Sequence, residues 1–251
     1  LELVSAPIEP GRLLAEHLWS RCYAALCTSA TLTALGRFTR FFERVGLEDP
    51  PALGIPSPFD YPAIATFAVP RMQSDPRDFA AHSREVAELL PLLIGGERSA
   101  LVLFTSWRQL REVLRQLPDA LIARMHVQGD GAKQALLAAH RAAIDAGEQS
   151  YLVGLASFAE GVDLPDDYCR HVVIAKLPFA VPDDPIDQAM AEWAEAQGRK
   201  PFFDIAVPDA AVRLVQACGR LIRHEGDYGR ITLLDRRIVS QRYGRALLDS
   251  L

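Results

Sequence analysis

Short apolar runs alternate with segments of helical periodicity along the chain, and no other feature limits its possible folds more. The runs typical of strands cover residues 23–32 (a strand leading into a loop), 63–69, 99–106, 121–127, 150–155, 171–177 and 229–235. The helical patterns cover residues 36–45, 78–94, 107–117, 132–145, 185–197, 208–223 and 241–249. This alternation predicts an α/β fold in which helices cover both faces of a mostly parallel sheet.

The predicted sheet also indicates where a ligand binds. In open parallel sheets, ligands bind beyond the carboxyl ends of the strands. Thr105, Ser106, the 155–165 loop and Asp235 each follow a predicted strand. We therefore expect these residues to gather along one edge of the sheet.

The segment 213–230 has two different faces when it is drawn as a helix with about 100° between residues. The polar face carries Gln216, Gly219, Arg220 and Arg223, and the apolar face carries Leu214, Cys218, Leu221 and Ile222. One interpretation is an ordinary amphipathic helix with solvated arginines. The other is a helix whose guanidinium groups meet phosphate oxygens, for which their fork of N–H donors is suited.

The loop SFAEGVDLP (157–165) directly follows the predicted strand 150–155. Gly161 permits a positive φ or a close approach of backbone. The carboxylates of Glu160 and Asp163 are suited to accept from a ribose hydroxyl or to orient an arginine. The alternative is a polar turn whose acidic residues have no function.

Two clusters of hydroxyl side chains are further candidates. Thr105 and Ser106 end a predicted strand and are suited to contact the phosphates of a nucleic-acid backbone; the alternative is an N-cap for helix 107–117. The segment TSAT, formed by Thr28, Ser29, Ala30 and Thr31, follows the predicted strand at 23. A capping role before the helix predicted from residue 36 is the alternative for this segment.

Composition restricts the class of protein. The net charge of −5 argues against a protein that wraps nucleic acid generally, although it leaves room for a local strip that contacts phosphates. The chain has no basic-then-apolar leader and no apolar run near the ~20 residues that span a membrane, so we expect a soluble cytoplasmic protein with no membrane partner. Because it begins with Leu1, we expect it to be a segment of a longer protein.

Cysteine and histidine usage predicts neither disulfides nor a metal site. The four cysteines, at positions 22, 27, 169 and 218, form no CxxC pair. We interpret them as reduced, buried thiols. The six histidines are scattered without metal-ligand spacing.

The chain also lacks two elements of a nucleotide-hydrolysing site. It has no GxxxxGK[ST] phosphate loop and no acidic Mg²⁺-binding box after a strand. Its arginines therefore suit a triphosphate that another domain holds, and they would reach that triphosphate in trans.

Seven motifs in this order resemble the second RecA-like domain of superfamily two helicases, in the DinG/XPD branch and with DinG-type members closest. They are TSATL (28–32), LVLFTSWRQL (101–110), MHVQGD (125–130), SFAEGVDLP (157–165), LPF with PDDP (177–185), QACGRLIRHEGDYG (216–229) and LLDRR with YGRALLDSL (233–251). The Q-x-x-G-R-x-x-R block is the most specific of them. Together they extend over essentially the whole chain.

The resemblance implies the C-terminal motor domain of an ATP-driven 5′→3′ helicase that translocates on single-stranded DNA. It implies that ATP and Mg²⁺ are held mainly by an upstream first RecA-like domain, which is the partner of this one. An iron–sulfur cluster is expected in that upstream part and not here. Residues 1–45 are expected to be the tail of the first motor domain or a connector, and residues 46–251 the second RecA-like domain. The alternative is a non-catalytic RecA-like module that docks a protein or nucleic acid.

The resemblance also implies roles for particular residues. Gln216 would lie near the γ-phosphate, with Arg220 and Arg223 as arginine fingers that neutralise developing charge. In the loop, Asp163 would contact the ribose or hold a finger, and Glu160 and Gly161 would shape it. Independently of the resemblance, Gly219 leaves bare backbone on the polar face of 213–230, where a ligand can come close. Thr105 and Ser106 would touch the DNA backbone, and Thr28, Ser29, Ala30 and Thr31 would couple hydrolysis to DNA movement. Ala217 stands where many relatives have another arginine, and no base-stacking role is implied for Trp107.

Overall fold

The computed structural model describes residues 5, 7–180 and 185–251, and the predicted helicase motif PDDP lies partly outside them. The chain divides into two compact units. The first comprises the described parts of Leu1–Pro56, Phe179–Val215 and Ala246–Leu251, and the second comprises Ser57–Pro178 and Gln216–Arg245. The predicted domain boundary after residue 45 stays a prediction.

The second unit contains a six-stranded sheet in the order β1-β6-β5-β2-β4-β3. Its strands are β1 (Ala65–Ala68), β2 (Ser99–Phe104), β3 (Met125–Val127), β4 (Ser150–Leu155), β5 (His171–Ile174) and β6 (Gly229–Leu233). Every pair of neighbouring strands is parallel. The predicted α/β class with a parallel sheet is therefore confirmed.

Helices alternate with these strands along the chain. They are α1 (Pro10–His17), α2 (Thr39–Val45), α3 (Tyr61–Ile64), α4 (Phe79–Ile94), α5 (Trp107–Leu114), α6 (Asp119–Ile122), α7 (Lys133–Asp145), α8 (Pro185–Ala196), α9 (Val207–Cys218), α10 (Arg237–Ser240) and α11 (Gly244–Leu248). Among the described residues, no helix is both long and apolar enough to cross a membrane.

The core of the second unit lies between the central strands and the helices that cover them. All six residues of β2 are buried, as expected for a strand that is covered on both faces. The buried cluster includes Val86, Leu90, Ile94, Val102, Phe104, Leu110, Val113, Tyr151, Val153 and Val173. Because the strands are parallel, their carboxyl ends all lie at one edge of this sheet, where Thr105, Ser106, the 155–165 loop and Asp235 follow, as predicted.

Two predicted strands are wrong in whole or in part. Residues 22–30 are exposed and form no strand, because no described strand lies beside them to pair with their backbone. The predicted strand 121–127 is reduced to β3, since Asp119–Ile122 forms the short helix α6. In this segment Leu121 is buried from a helical turn, which an apolar pattern alone does not distinguish from a strand.

The cysteines only partly match the expectation of buried thiols. Cys22 and Cys27 are exposed, because the segment that contains them does not enter a sheet. Cys169 is buried, and its burial raises the pKa of its thiol to about 12. Cys218 is intermediate in exposure, and desolvation raises the pKa of its thiol to about 12 as well.

In the first unit, α1 and α2 lie side by side. The indole Nε1 of Trp19, which follows α1, donates to the backbone oxygen of Val45, the last residue of α2, at 2.5 Å. This bond joins the C-terminal ends of the two helices. Arg40 on α2 forms an ion pair with Asp209 on α9. These contacts order the segments on either side of the exposed residues 22–30.

Buried neutral histidines make the stability of the second unit depend on pH. His140 is fully buried, its Nε2 donates to the backbone oxygen of Tyr168 at 2.8 Å, and its Nδ1 accepts from Ser150 Oγ at 2.8 Å. Burial lowers the pKa of His140 to about 4. Burial likewise lowers the pKa of His171 to about 4, with Arg230 as the next cause.

We expect the free energy of unfolding to fall as the pH is lowered from about 6.5 to about 4. In that window the unfolded chain binds protons on these histidines while the folded chain does not, so the stability present at neutral pH is lost. The loss is on the order of 2–3 kcal/mol for each histidine. Urea unfolding at a series of pH values checks this. His140→Gln should make the dependence less steep, whereas the exposed control His17→Gln should not; equal slopes in both variants would contradict the assignment to His140.

Candidate functional site

The loop after β4 is built to present polar groups at the carboxyl edge of the sheet. It begins with a 3-10 turn, Ala156–Ala159, and its apolar side chains Phe158, Val162 and Leu164 are buried. The residues between them, Glu160, Gly161 and Asp163, are exposed. Gly161 has a φ of +68°, a left-handed conformation that suits glycine. Buried and exposed positions alternate, so the loop is anchored while its carboxylates face outward.

The helix predicted over 208–223 ends earlier, at Cys218. The prediction of one helix with a polar and an apolar face is therefore wrong for residues 219–223. Gly219 is exposed in the following turn, and the backbone N–H of Arg220 still bonds to Ala217 O at 3.2 Å. Farther along, the carboxylate of Asp227 accepts from the N–H groups of Arg223 and His224, at 2.6 and 3.0 Å. Such bonds compete with the backbone acceptors of a helix.

Both arginines nevertheless meet the predicted loop. Arg220 donates from Nη1 to the backbone oxygen of Val162 at 2.9 Å, and Arg223 donates from Nη2 to the same oxygen at 2.6 Å. The Nε of Arg223 also lies 3.3 Å from Oδ1 of Asp163. With 69% of its side chain exposed, Asp163 forms a weak ion pair that orients Arg223 more than it stabilises the fold.

The electrostatics of this arrangement favour an incoming anion. Burial lowers the pKa of Arg220, the charge of Arg223 lowers it further, and the carboxylates of Glu160 and Asp163 act in the opposite direction. Within the described chain, Nε of Arg220 is buried without a hydrogen-bond acceptor. Two guanidinium groups that share one neutral carbonyl oxygen retain unused donor capacity, which phosphate oxygens can fill.

Two further cations, both on α7, bond to the same loop. Lys133 donates to the backbone oxygen of Glu160, and Arg141 donates to that of Asp163 at 2.6 Å. With Arg220 and Arg223, four cationic side chains therefore bond to backbone oxygens of one short loop. Sequence reasoning missed this network, because a backbone carbonyl acceptor carries no residue signature.

Asp227 is a second element that sequence reasoning missed, although it lies within the QACGRLIRHEGDYG block. Its side chain is 1% exposed, and besides Arg223 and His224 it accepts from the N–H of Asp166 at 2.7 Å. It therefore joins the segment that carries the arginines to the end of the 157–165 loop. Asp166 has a φ of +57°, a left-handed conformation that aspartate adopts more readily than most residues, and this bond helps to hold it.

Asp166, His224 and Asp227 also form a group whose ligand atoms lie within 4.8 Å of one another, as a metal site requires. His224 Nε2 is 3.1 Å from Asp166 Oδ1. However, both oxygens of Asp227 already accept backbone N–H bonds, and we interpret the group as a latch between two loops.

The remaining predicted residues lie as follows. Gln216 is half-buried in the last turn of α9. Ser106 caps α5, since its Oγ accepts from the N–H of Gln109 at 3.3 Å, and the capping alternative is thus correct for this residue. Thr105 is half-buried at the end of β2. Asp235 is fully buried, accepts from the N–H of Leu177 at 2.9 Å and pairs with Arg237, so it is structural.

The TSAT segment belongs to the first unit. Thr28, Ser29 and Ala30 are exposed, and Ser29 Oγ accepts from the N–H of Thr31 at 3.1 Å in a local turn. A capping role is wrong for this segment, because α2 begins only at Thr39 and has no side-chain cap.

The chain is similar to several known proteins and matches one family model. A family model described as the helicase C-terminal domain matches residues 91–251. The ATP-dependent DNA helicase DinG of Photobacterium profundum is 41% identical over 252 residues, which cover 98% of this chain and 36% of that protein. The protein of the same name from Escherichia coli (strain K12) is 34% identical, covering 93% of this chain and 34% of that protein.

A Bacillus subtilis (strain 168) relative named 3'-5' exonuclease DinG is 35% identical, covering 99% of this chain and 27% of that protein. The chain thus spans about a third of the length of the curated relatives that it matches. A solved XPD helicase structure aligns with a TM-score of 0.56 at 21% identity, covering 74% of this chain and 34% of that one, and a likeness at this identity concerns the fold alone. The fold is the RecA-like helicase fold.

A family match over residues 91–251 includes both the loop that holds Asp163 and the segment that holds Arg220 and Arg223. The chain therefore belongs to the helicase C-terminal domain family; its sequence is similar to those of DinG helicases, and its fold is similar to that of an XPD helicase.

Proposed function

We propose that this chain is the second motor domain of an ATP-dependent DNA helicase that translocates 5′→3′ on single-stranded DNA. In this proposal Arg220 and Arg223 are arginine fingers for a nucleotide whose triphosphate and Mg²⁺ are held mainly by a first RecA-like domain of the same protein. One observation carries the proposal: both guanidinium groups meet at Val162 O, beside Asp163, at the carboxyl edge of a parallel sheet.

The residues of this edge fit a triphosphate and its sugar. Arg220 and Arg223 would exchange the shared carbonyl oxygen for phosphate oxygens, which are stronger acceptors because they are charged. Gln216 would lie near the γ-phosphate, and the exposed Gly219 leaves its backbone accessible beside them. Asp163 would accept from a ribose hydroxyl or keep Arg223 in place.

In the same proposal, Glu160 and Gly161 shape the loop, and Thr105 and Ser106 contact the DNA backbone. The exposed TSAT segment, in the connector or tail formed by residues 1–45, couples hydrolysis to DNA movement, while residues 46–251 form the motor domain. An iron–sulfur cluster belongs to the upstream part of the complete protein, and the protein acts in the cytoplasm. Relatives that align over this whole segment include one named a helicase and one named an exonuclease. We infer that a DNA motor is common to them.

ATP hydrolysis tests the proposal directly. We expect the complete protein to hydrolyse ATP, and single-stranded DNA to increase its turnover. The 251-residue chain alone should not exceed background, because it contains no phosphate loop or Mg²⁺-binding box. Turnover by the isolated chain would contradict the shared site, and a complete protein without DNA-stimulated hydrolysis would favour a non-catalytic docking module.

A further inference from the structure

Helix α5 has one buried face and one basic, aromatic face. Gln109, Leu110 and Val113 are buried, and the side-chain amide of Gln109 bonds to Nδ1 of His82 on α4 at 2.8 Å. The exposed residues of the helix and its C-terminal end are Trp107, Arg108, Arg111 and Arg115. Packing does not require a tryptophan on an outward face that has no apolar partner. The concentration of arginines on this face also contrasts with the net charge of −5 for the whole chain.

The indole of Trp107 is partly supported and partly open. It retains 37% exposure, although tryptophan is largely buried in most folds. Gly129, in the loop after β3, lies beside the ring, since a Cβ at this position would be in ordinary van der Waals contact with Cη2, at 3.7 Å. The loop therefore approaches one edge of the ring without covering it.

Cations flank this ring along the groove that the helix forms with Phe79. The guanidinium carbon of Arg111, one turn after Trp107, lies 5.7 Å from the centre of the indole. The guanidinium carbon of Arg108 lies 4.0 Å from the centre of the Phe79 ring, which holds that arginine in place. Arg115 forms an ion pair with Glu112 at 2.8 Å. The positive charge available to a ligand in this groove therefore comes mainly from Arg108 and Arg111.

The position of the groove matters as much as its chemistry. Helix α5 begins directly after Thr105 and Ser106, at the carboxyl edge of the sheet, and β2 lies beside β4. Aromatic rings that alternate with cations at such an edge are what single-stranded nucleic acid recognises, because bases stack on rings while phosphates meet guanidinium groups.

We propose that Trp107 stacks on a base of single-stranded DNA, with Arg108 and Arg111 contacting the flanking phosphates. This inference rests on the proposed function, and it deepens it by adding a base contact to the backbone contacts of Thr105 and Ser106. The ligand is single-stranded, since a base within a duplex does not present its face to a side chain.

Binding of the complete protein to a fluorescently labelled oligothymidylate tests the proposal. Trp107→Ala should weaken binding about 5- to 150-fold, the range for removing one stacked base. Trp107→Phe should restore most of the affinity, because it retains a flat ring. Arg108→Ala and Arg111→Ala should each lower the slope of log affinity against log salt by about 0.7, the value for one phosphate that is no longer neutralised. The exposed control Arg84→Ala on α4 should change neither quantity.

An oligonucleotide with abasic sites separates stacking from an indirect effect. If Trp107 stacks on a base, Trp107→Ala should weaken binding to the normal oligonucleotide and leave binding to the abasic one unchanged. Equal weakening on both would mean that the indole acts through local structure, and it would overturn the proposal. Unchanged affinity on both would overturn it too.

Photocrosslinking keeps the proposal testable even if the alanine variant does not fold. Wild-type protein irradiated with an oligonucleotide that contains 5-iodouracil should crosslink at Trp107, and crosslinks at other residues alone would overturn the inference.

The DNA concentration that gives half-maximal stimulation of the ATPase distinguishes failure of the stacking inference from failure of the proposed function. If wild-type protein is stimulated and Trp107→Ala requires no more DNA than wild type, the stacking inference fails while the proposed function stands. If DNA does not stimulate wild-type protein, the proposed function itself fails.

Discussion

Replacing Arg220 by alanine should lower the ATP turnover of the complete protein by about 10³- to 10⁵-fold, the range for loss of an arginine finger. The expected defect is in kcat, because the guanidinium neutralises charge that develops only as the phosphoryl group transfers. The KM for ATP should change much less. Steady-state kinetics with saturating single-stranded DNA measures both quantities.

The geometry of Arg220 explains why a conservative change should not rescue it. Its Nη1 bonds to Val162 O at 2.9 Å while its Nε is buried without an acceptor in the described chain, so an anion can recruit further donors of the same fork. Arg220→Lys keeps the charge and loses the fork. We expect this variant to recover only a small part of the turnover.

Controls for this prediction separate a chemical role from a structural one. Arg84→Ala removes an exposed arginine from α4 and should leave kcat within about twofold of wild type, as is usual for surface substitutions. Binding of single-stranded DNA by Arg220→Ala should stay close to normal, since Arg220 lies on the nucleotide side of the proposed machinery. A variant that loses less than about tenfold in kcat would remove Arg220 from the finger role.

Sequence reasoning predicted the fold best where a strand is buried on both faces. Strands β2 and β4 are nearly continuous apolar runs because both of their faces are covered, and the predicted ranges agree with the observed ones to within two residues. Residues 23–32 have a similar composition but are largely exposed, because pairing with a neighbour, and not composition, makes a strand. Burial by tertiary contacts is invisible in a local pattern.

The candidate site shows the same limit at the level of single atoms. The side chains that the sequence indicates, Arg220, Arg223 and Asp163, do meet in space. The acceptor that brings them together is the backbone oxygen of Val162, a group that every residue carries. The path of the chain after α9 likewise depends on Asp227, nine residues beyond Cys218, whose carboxylate accepts from the N–H groups of Arg223 and His224.

Asp227 is the residue for which we expect the largest loss of stability with a linked loss of activity. Asp227→Ala would leave three N–H groups, those of Asp166, Arg223 and His224, without their acceptor. Burying unsatisfied donors costs about 1–3 kcal/mol each, and entry of water offsets part of this, so we expect the free energy of unfolding to fall by about 2–4 kcal/mol. Urea unfolding measures the change.

Asp227→Asn separates positioning from folding. Both carboxylate oxygens accept bonds, Oδ1 from Asp166 and Oδ2 from Arg223 and His224, whereas an amide offers one acceptor and turns an N–H toward the other donors. This variant should therefore fold but release one of the two loops, so that Arg223 no longer stays at Val162 O. We expect a fall in kcat of at least about tenfold, with a smaller change in the KM for ATP, because a misplaced finger weakens the transition state more than the bound substrate.

The exposed Asp187, on α8, provides the matched control. Asp187→Asn should change the free energy of unfolding by less than about 0.5 kcal/mol and leave kcat unchanged. If Asp227→Asn were as active as this control at a temperature where both are folded, the latch would be structural only. Arg223 would then hold its position through Asp163 and the 157–165 loop alone. A loss of kcat confined to Asp227→Asn would instead mean that the two loops must be joined before the arginines can act on a shared triphosphate.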